Sequence, residues 1–302
     1  MMRRLRATTV LCLLLASPAA SRTVDESVTL EPGEPVRIDI AFGELKIVGT
    51  DQARLRAHGE IDEGLSGLRL ARDGGALEVR TKLPFRSWLR RLRHDEPRAA
   101  VQLTIELPRH TPLFVVTREG LVDVQELSGR LGVVTVAADV KIRGALESVA
   151  VESVSGDIEL RGGAERWSAH SLSGDVRLWG DGGGLALETV DGAIEVRGAN
   201  LKGRLRTVSG TVLFEGDVAN DGLLEIDTEA GPIEVRADTR AQRIDLLTDR
   251  GRVVDRRPDV EAPLPDQRSL LAGDGGGTLR VRTFSASIIV QGPASEGPPS
   301  QR

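Results

Sequence analysis

The chain has 302 residues, 34 glycines, no tyrosine and a single cysteine, and its formal net charge is −5. This acidic balance argues against nucleic acid as a partner, because binding to phosphates requires a basic surface. The one cysteine, Cys12, excludes a disulfide framework and a cysteine metal site.

Residues 1–21 have the pattern of a signal peptide. Three arginines precede a short apolar core at Val10–Ala16, and small residues follow up to Ser21. The core is too short to remain in a bilayer as a spanning helix. We therefore expect an exported protein, in the periplasm or at the cell surface. Loss of the three arginines would bring its charge to −8 and would remove its only cysteine.

Residues 22–112 have an irregular strand pattern. Apolar residues alternate on both sides of Gly43, and a hairpin is predicted around 73–75. An exposed sheet edge templates aggregation, so a region placed before a set of repeats is well suited to cover their first edge. We expect these residues to form an N-terminal cap, or a small β domain of their own.

Leu83–Pro97, with the sequence LPFRSWLRRLRHDEP, interrupts that region. Its apolar residues recur at helical spacing among arginines, which predicts a short basic amphipathic helix. Such a helix could dock on the end of the repeats, or bind an anionic membrane or an acidic partner. The candidate binding residues are Phe85, Trp88, Arg90, Arg91 and Arg93.

A repeat of 18 residues dominates residues 113–290. Its marker is a small residue that recurs at Gly120, Ala138, Gly156, Gly174, Gly192 and Gly210, and less regularly at Gly231, Gly251 and Ala286. Apolar residues stand two and four positions after almost every marker and five positions before it. This period of two predicts strands with one buried face, and glycines six positions after many markers indicate turns.

Each unit thus consists of two strands and two turns, and it cannot bury its apolar face unless units stack. Helical repeats need a period of 3.6 residues, and propeller blades need about 40 residues. The predicted fold is all-β, a single-stranded β-solenoid with coils of about 18 residues, for which right-handed connections are favoured. About nine coils, spaced like ordinary strands, would form a rod of ~40 Å.

Two further rows follow the repeat. A serine or threonine stands three positions before every marker, in phase with the buried residues, and we expect its hydroxyl to satisfy backbone groups at a corner rather than to order water. Charges of alternating sign stand three positions after successive markers, which favours one register between coils. These charges are Asp123, Lys141, Glu159, Arg177 and Glu195.

Two segments near the end of the chain depart from the repeat. Residues 255–277 contain three prolines and a glycine-rich run, which predicts a loop before the last coil. Residues 291–302 are rich in proline, serine and glycine, and we expect a disordered tail.

The repeated turn resembles a known family. The segment LTIELP at Leu103–Pro108, the segment Arg109–Thr117 and the units VESVSGDIELRG and LETVDGAIEVRG are similar to the bacterial "putative adhesin" family of exported β-solenoid domains. The resemblance covers roughly residues 36–290. It implies surface attachment and brings no catalytic residues with it.

A search for chemistry finds no motif for a catalytic nucleophile, a metal or a cofactor. The best enzyme alternative is the acidic row Asp139, Asp157 and Asp175, one position after the marker. Neighbours in this row would lie ~5 Å apart and the outer pair ~10 Å, close to the carboxylate separations of glycosidases. Trp179 could then offer a platform for a sugar ring. Aspartate after glycine is also common in turns, however, so this row alone is weak evidence.

The leading hypothesis is a non-enzymatic, adhesin-like binding or scaffolding protein of the cell envelope. Its partner would be an envelope polymer, a membrane surface or another envelope protein, bound through the flat faces of the solenoid. The first alternative is a polysaccharide-degrading enzyme that uses the aspartate row. The second is a structural protein that assembles end to end.

Overall fold

The computed structural model describes residues 21–82, 101–237, 242–257, 268–273 and 275–292. These residues form strands and turns without any helix, and their twenty-three strands belong to one sheet. Within these ranges no helix is therefore long and apolar enough to cross a membrane.

The strands fall into three groups along the chain. The first group comprises β1 (Ser21–Thr29), β2 (Val36–Asp39), β3 (Phe42–Thr50), β4 (Arg54–Asp62), β5 (Gly67–Asp73), β6 (Ala76–Lys82) and β7 (Val101–Pro108). The second comprises β8 (Leu113–Val116), β9 (Glu119–Leu127), β10 (Arg130–Val134), β11 (Ala137–Ser153), β12 (Ile158–Ser171), β13 (Val176–Asp181), β14 (Gly184–Glu188), β15 (Ile194–Thr207), β16 (Val212–Val218), β17 (Leu223–Thr228) and β18 (Ile233–Arg236). The third comprises β19 (Gln242–Thr248), β20 (Val253–Asp255), β21 (Ser269–Ala272), β22 (Gly277–Thr283) and β23 (Ile288–Gln291).

The chain winds into a solenoid whose strands pair in parallel along two ladders. Ladder A, which follows the markers, runs in the order β7, β3, β9, β11, β12, β13, β15, β16, β18, β23 and β20. Ladder B, which precedes the markers, runs in the order β6, β2, β8, β10, β11, β12, β14, β15, β17, β22 and β19. The solenoid prediction is therefore confirmed. The described residues form eleven coil levels, which corresponds to a rod of ~50 Å at ordinary strand spacing.

The predicted register is also confirmed by the core. Val176, Ile194 and Val212 occupy the same place on successive strands of ladder A and have no exposed surface. The positions two residues further on and five residues before the markers are equally buried, as in Val196 and Leu187. Side chains from the two ladders thus fill one continuous interior, whose burial drives the stacking of coils that could not fold alone.

Coils at both ends do not stack in chain order. The coil of β2 and β3 lies between the coil of β6 and β7 and the coil of β8 and β9. At the other end, the coil of β22 and β23 lies between the coil of β17 and β18 and that of β19 and β20. The coil of Ala286 is therefore not the last of the stack. Within the described residues this coil is the last along the chain, after residues 255–277, but it takes the last level but one of the stack.

Antiparallel strands cover much of the two ends. At the N-terminal end β4 pairs with β7 and β1 with β4, while β5 pairs with β6. At the C-terminal end β21, inside the segment 255–277 that the sequence predicts as loop, pairs with β19. Further parallel coils cannot continue from strands that are already paired in this way, so the ends are poor templates for extension.

The last strand of ladder A, β20, is protected from further strand pairing by a buried charge. Asp255 occupies a core position of β20 and accepts hydrogen bonds from the Arg257 guanidinium, with 2.9 Å between Nε and Oδ1, and from the Arg257 backbone N–H. The two side chains are 2% and 9% exposed. Burial raises the pKa of Asp255, but the hydrogen bonds from Arg257 outweigh it and hold that pKa below its usual value. An inward-facing charge at an edge strand discourages pairing with another chain.

Candidate functional site

The serine and threonine row is structural, as predicted. All nine hydroxyl-bearing residues are buried. Seven of the hydroxyls accept a hydrogen bond from the marker N–H three residues later, as from Gly192 to Thr189 at 3.1 Å and from Gly210 to Thr207 at 3.1 Å. Thr189 also donates to the carbonyl of Gly174 on the neighbouring coil. These contacts satisfy backbone groups inside the corner and leave this row no surface for a ligand.

The aspartate row makes a second set of bonds to the backbone. Asp139 Oδ1 accepts from the N–H of Asp157 at 3.1 Å, and Asp157 Oδ1 accepts from the N–H of Asp175 at 3.0 Å. Asp175 Oδ1 accepts in turn from the N–H of Ala193 at 2.9 Å. Arg177 joins the row by ion pairs to Asp157 and Asp175 at 3.2 and 2.6 Å. Each carboxylate therefore links one coil to the next.

The outer surface of ladder A carries the predicted alternation of charge. Lys141, Glu159, Arg177 and Glu195 lie directly opposite one another on successive strands. Several ion pairs nevertheless join an acid to an arginine two residues along its own strand. Examples are Arg161 with Glu159 at 2.6 Å and Arg197 with Glu195 at 2.8 Å.

Trp179 interrupts this charged surface. It stands five positions after its marker, where the neighbouring coils carry Arg161 and Arg197. The sequence suggests an exposed platform, whereas the structure shows a half-buried ring with the Arg161 guanidinium 4.5 Å from its centroid. The arginine holds the indole in place and covers part of its surface. The sequence does not reveal this contact, because the two residues belong to different coils.

An open groove of about 510 Å³ runs beside this ring. It is lined by Trp179, Arg197, Asp181 and three glycines, Gly162, Gly163 and Gly180. The glycines lie at the corner where the strands turn from ladder A towards ladder B. A Cβ at Gly180 would stand 2.1 Å from the carbonyl oxygen of Gly162, so close packing of adjacent coils requires glycine there. Because these three glycines have no side chains, they form a flat floor beside the indole ring, which we call the glycine shelf.

The polar groups of this shelf are fixed in position. Asp181 Oδ1 accepts a hydrogen bond from the N–H of Ala199 at 2.7 Å. Arg197 lies 2.8 Å from Glu195 and 3.5 Å from Glu215. One aromatic face, one carboxylate and one guanidinium thus lie around a shallow, open groove on a rigid scaffold, an arrangement that could bind a small polar ligand.

A row of exposed aliphatic side chains lies in the turn that leads into the marker, two positions before it. Sequence reasoning missed it, although the period of 18 residues places these residues in one line. It comprises Val136, Val154, Leu172 and Val190, which are between 37% and 51% exposed, and the half-buried Val208. Such a row gives an apolar edge about 20 Å long at ordinary strand spacing.

The predicted binding residues Phe85, Trp88, Arg90, Arg91 and Arg93 lie outside the described residues, and the role of Leu83–Pro97 stays a prediction. The signal peptide at 1–21 lies almost wholly outside them as well. Of the tail predicted to be disordered, 291–302, only the first two residues are described, and Gln291 belongs to β23. In the described ranges no three His, Cys, Asp or Glu side chains are grouped as metal ligands would be. Three histidines pair instead with neighbours: His58 with Glu106, His170 with Glu188, and His110 with Ser128.

The Toastrack DUF4097 family model matches residues 37–253, which is most of the solenoid. The chain belongs to the Toastrack DUF4097 family. This confirms the resemblance seen in the repeated turns and the expected fold class. No curated protein is similar enough to the chain to count as a relative.

Solved structures match the chain at low sequence identity, and the first of those described here shares its fold. A "Putative lipid binding protein" from Parabacteroides distasonis is 13% identical, with a TM-score of 0.52, and the match covers 89% of this Toastrack chain and 96% of that one. A "putative adhesin" from Bacteroides fragilis is 12% identical over 90% and 98% of the two chains, with a TM-score of 0.41. A "putative cell adhesion protein" from Clostridium sporogenes is 11% identical over 90% and 100%, with a TM-score of 0.24.

Proposed function

We propose that this Toastrack protein is a non-enzymatic binding protein of the cell envelope that attaches to a carbohydrate polymer through the outer surface of ladder A. The observation that carries the proposal is the groove beside Trp179, where an aromatic ring meets Asp181 and Arg197 over a glycine shelf. An envelope location is part of the proposal and depends on the predicted signal peptide.

The chemistry of the groove suits a sugar. One face of a pyranose presents C–H groups, which pack on the electron-rich face of an aromatic ring. Its hydroxyls both donate and accept hydrogen bonds, so they match a carboxylate on one side and a guanidinium on the other. The groove is open at the surface, so a sugar unit could enter it while the polymer continues along the rod.

The surrounding surface suits a polymer rather than a single sugar. Ladder A presents a similar outer strand at each of the eleven coil levels, and its charges are largely paired with one another, as Arg161 is with Glu159. A paired surface holds little free charge, so it favours a neutral or weakly charged ligand over a highly charged one.

The aspartate row favours this binding function over hydrolysis. Asp139, Asp157 and Asp175 each hold a backbone N–H of the next coil through one carboxylate oxygen, and two of them also pair with Arg177. A glycosidase needs one carboxyl group that stays protonated and a second that is free to attack or to activate water. The three carboxylates are instead engaged in holding the coils together, which favours a structural role for the row.

The neighbours in the structural comparison are described as adhesion, adhesin or lipid-binding proteins. These descriptions agree with attachment as a class of function. The alternative of end-to-end assembly is less favoured, because antiparallel strands and the pair of Asp255 and Arg257 occupy the ends of the stack.

The proposal is tested by binding of the full chain to insoluble and soluble envelope polysaccharides, with the Trp179→Ala variant as the decisive comparison. We expect a loss of at least tenfold in affinity for the bound polymer, with an unchanged fold. Phe284→Ala is the matched control, because Phe284 is an exposed aromatic residue that, like Trp179, packs against an arginine, with the Arg250 guanidinium 4.7 Å from its ring centroid.

Equal binding by wild type and Trp179→Ala would reject the groove as the site. Turnover of a polysaccharide that disappears in Asp157→Asn would instead support the enzyme alternative. Filaments of purified wild-type protein would support end-to-end assembly. Recovery of the protein in the cytoplasm, with residues 1–21 intact, would remove the envelope from the proposal.

A further inference from the structure

A second groove lies on the outer surface of ladder B, near the N-terminal end of the stack. Its volume is about 370 Å³, which is within the usual range for small-molecule sites. It crosses the starts of four neighbouring strands, β6, β2, β8 and β10. Its apolar lining includes Pro35, Ala76, Pro112 and Leu131. No carboxylate is part of this lining.

Phe114 forms the wall of this groove because its neighbour on the next coil is a glycine. Phe114 and Gly132 are partners in the parallel register of β8 and β10. A Cβ on Gly132 would stand 2.8 Å from Cδ2 of the Phe114 ring, so the ring leans into the space that glycine leaves. The ring remains 37% exposed, so a large apolar surface faces solvent inside a concave site.

Two arginines stand in the same lining. The Arg37 guanidinium lies 5.1 Å from the centroid of the Phe114 ring, and Arg130 lies two residues before Gly132 on β10. No described carboxylate forms an ion pair with either arginine. Glu78, which is directly opposite Arg37 on β6, pairs with Arg80 at 3.0 Å instead.

This charge pattern differs from that of the outer surface of ladder A. On ladder A the arginines at the corresponding outer positions, such as Arg161 and Arg197, are matched by acids on their own strands. At the groove an apolar wall lies together with two cations that have no carboxylate partner among the described residues. An anion that also carries an apolar group satisfies both features, because guanidinium binds carboxylate through two parallel hydrogen bonds and the apolar group buries against Phe114 and the prolines.

We propose that this groove binds a monomeric, single-chain anionic amphiphile, with its carboxylate at Arg37 and Arg130 and its acyl chain against Phe114. A free amphiphile fits better than a membrane surface, because the apolar residues line an open groove of limited volume. This site is separate from the groove beside Trp179 and does not depend on the polysaccharide proposal.

The test is isothermal titration of the full chain with dodecanoate below its aggregation threshold. We expect saturable binding of one ligand per chain. The double variant Arg37→Gln with Arg130→Gln should weaken binding at least tenfold, and Phe114→Ala should weaken it several-fold. Because Arg37, Arg130 and Phe114 are exposed, these variants should fold, and circular dichroism checks that they do.

Matched controls distinguish specific binding in the groove from non-specific electrostatic or hydrophobic association. Arg206→Gln removes an exposed arginine elsewhere on ladder B and should leave binding unchanged. Dodecanol should bind more weakly than dodecanoate, and dodecyltrimethylammonium should not bind in the groove. Equal binding of all three amphiphiles, or equal binding of dodecanoate by wild type and the arginine variant, would overturn the proposal. So would association with anionic vesicles in the absence of any binding of monomeric dodecanoate.

Discussion

The coils between residues 113 and 236 stack in the order of the chain, whereas the coils at both ends are placed out of order. In the middle, each strand pairs with the strands one repeat before and after it, as β12 does with β11 and β13. At the ends, β2 separates β8 from β6, and β22 separates β19 from β17. The strands therefore pair with neighbours in the sequence in the middle of the stack, and with strands that are distant in the sequence at its ends.

The difference shows which forces specify each region. In the middle the fixed 18-residue period makes stacking on the adjacent unit the arrangement that brings all apolar, hydroxyl and charged rows into register at once. At the ends the repeats have unequal lengths, and the terminal strands gain partners that are far apart in sequence. Loops close at an entropic cost that grows only slowly with their length, so such rearrangements are affordable in a stable fold.

The largest expected effect comes from a charge in the middle of the stack. Ile194→Asp puts an unpaired carboxylate where the side chain has no exposed surface, at a cost of about 4–5 kcal/mol or more. Thermal unfolding monitored by circular dichroism should show loss of the cooperative transition. Glu195→Gln, one residue along and facing solvent, should change stability by less than about 0.5 kcal/mol. Equal melting temperatures for Ile194→Asp and wild type would refute the register.

A methyl group at a marker should have the next largest effect. A Cβ at Gly192 would stand 2.0 Å from the carbonyl oxygen of Gly174, so Gly192→Ala must push two coils apart. We expect destabilisation by about 3 kcal/mol, measured by urea unfolding. Gly163→Ala is the control, because Gly163 has nothing within 4 Å of its Cβ direction and no positive φ. Similar midpoints for the two variants would show that the coils separate easily.

The C-terminal end of the stack should respond to acid through Asp255. The pKa of Asp255 is held below its usual value, so its pairing with Arg257 stabilises the fold above about pH 4 and this contribution is lost as pH falls through the folded pKa. Hydrogen exchange below that pH should show that the free energy of local opening of β20 and β23 has fallen by about 1–3 kcal/mol.

The control for this acid response is Asp255→Asn. This variant lacks the titrating group. After correction for the intrinsic exchange rate, the free energy of local opening at β20 should therefore be low at every pH, without an acid-dependent step. If wild type and variant showed the same pH profile, another group would be responsible. If amides of β13 and β15 opened together with β20, the ends would not be independent of the middle.

The smallest expected effect concerns the hydroxyl row. Thr189→Val keeps the shape of the side chain but leaves the N–H of Gly192 without its acceptor, which should cost about 1–2 kcal/mol. Thr189→Ser retains the hydroxyl, as Ser171 does on the preceding coil, and should recover most of that stability. Differential scanning calorimetry of the three proteins measures the difference. Identical behaviour of the valine and serine variants would show that the hydroxyl bond contributes nothing.

Much of the fold follows from the sequence, because a solenoid repeats one local environment. The buried places of Val176, Ile194 and Val212 are readable from apolar residues at fixed distances from a glycine. The order of the end coils is not readable, since spacing along the chain says nothing about which edge a distant coil joins. The strand at Ser269–Ala272 was missed because its sequence lies in a segment rich in proline and glycine.

The candidate sites were less accessible to sequence reasoning than the fold. Trp179 was recognised, but its partner Arg161 and the shelf of glycines come together only when coils stack. The groove at Phe114 requires that Gly132 be its neighbour on the next coil, a relation hidden in an 18-residue spacing. Both sites depend on contacts across coils, which a reading along one strand does not reveal.

The out-of-order coil at residues 277–291 has a consequence for synthesis on the ribosome. The strands β17 and β19 emerge earlier, yet each needs β22 between them, so two unpaired edges must wait until nearly the whole described chain has been made. Translation supplies about 5–20 residues per second, so this interval lasts seconds. A nascent chain with two open edges is prone to pair wrongly, and the mature protein is protected only once its late-made coil has entered the stack.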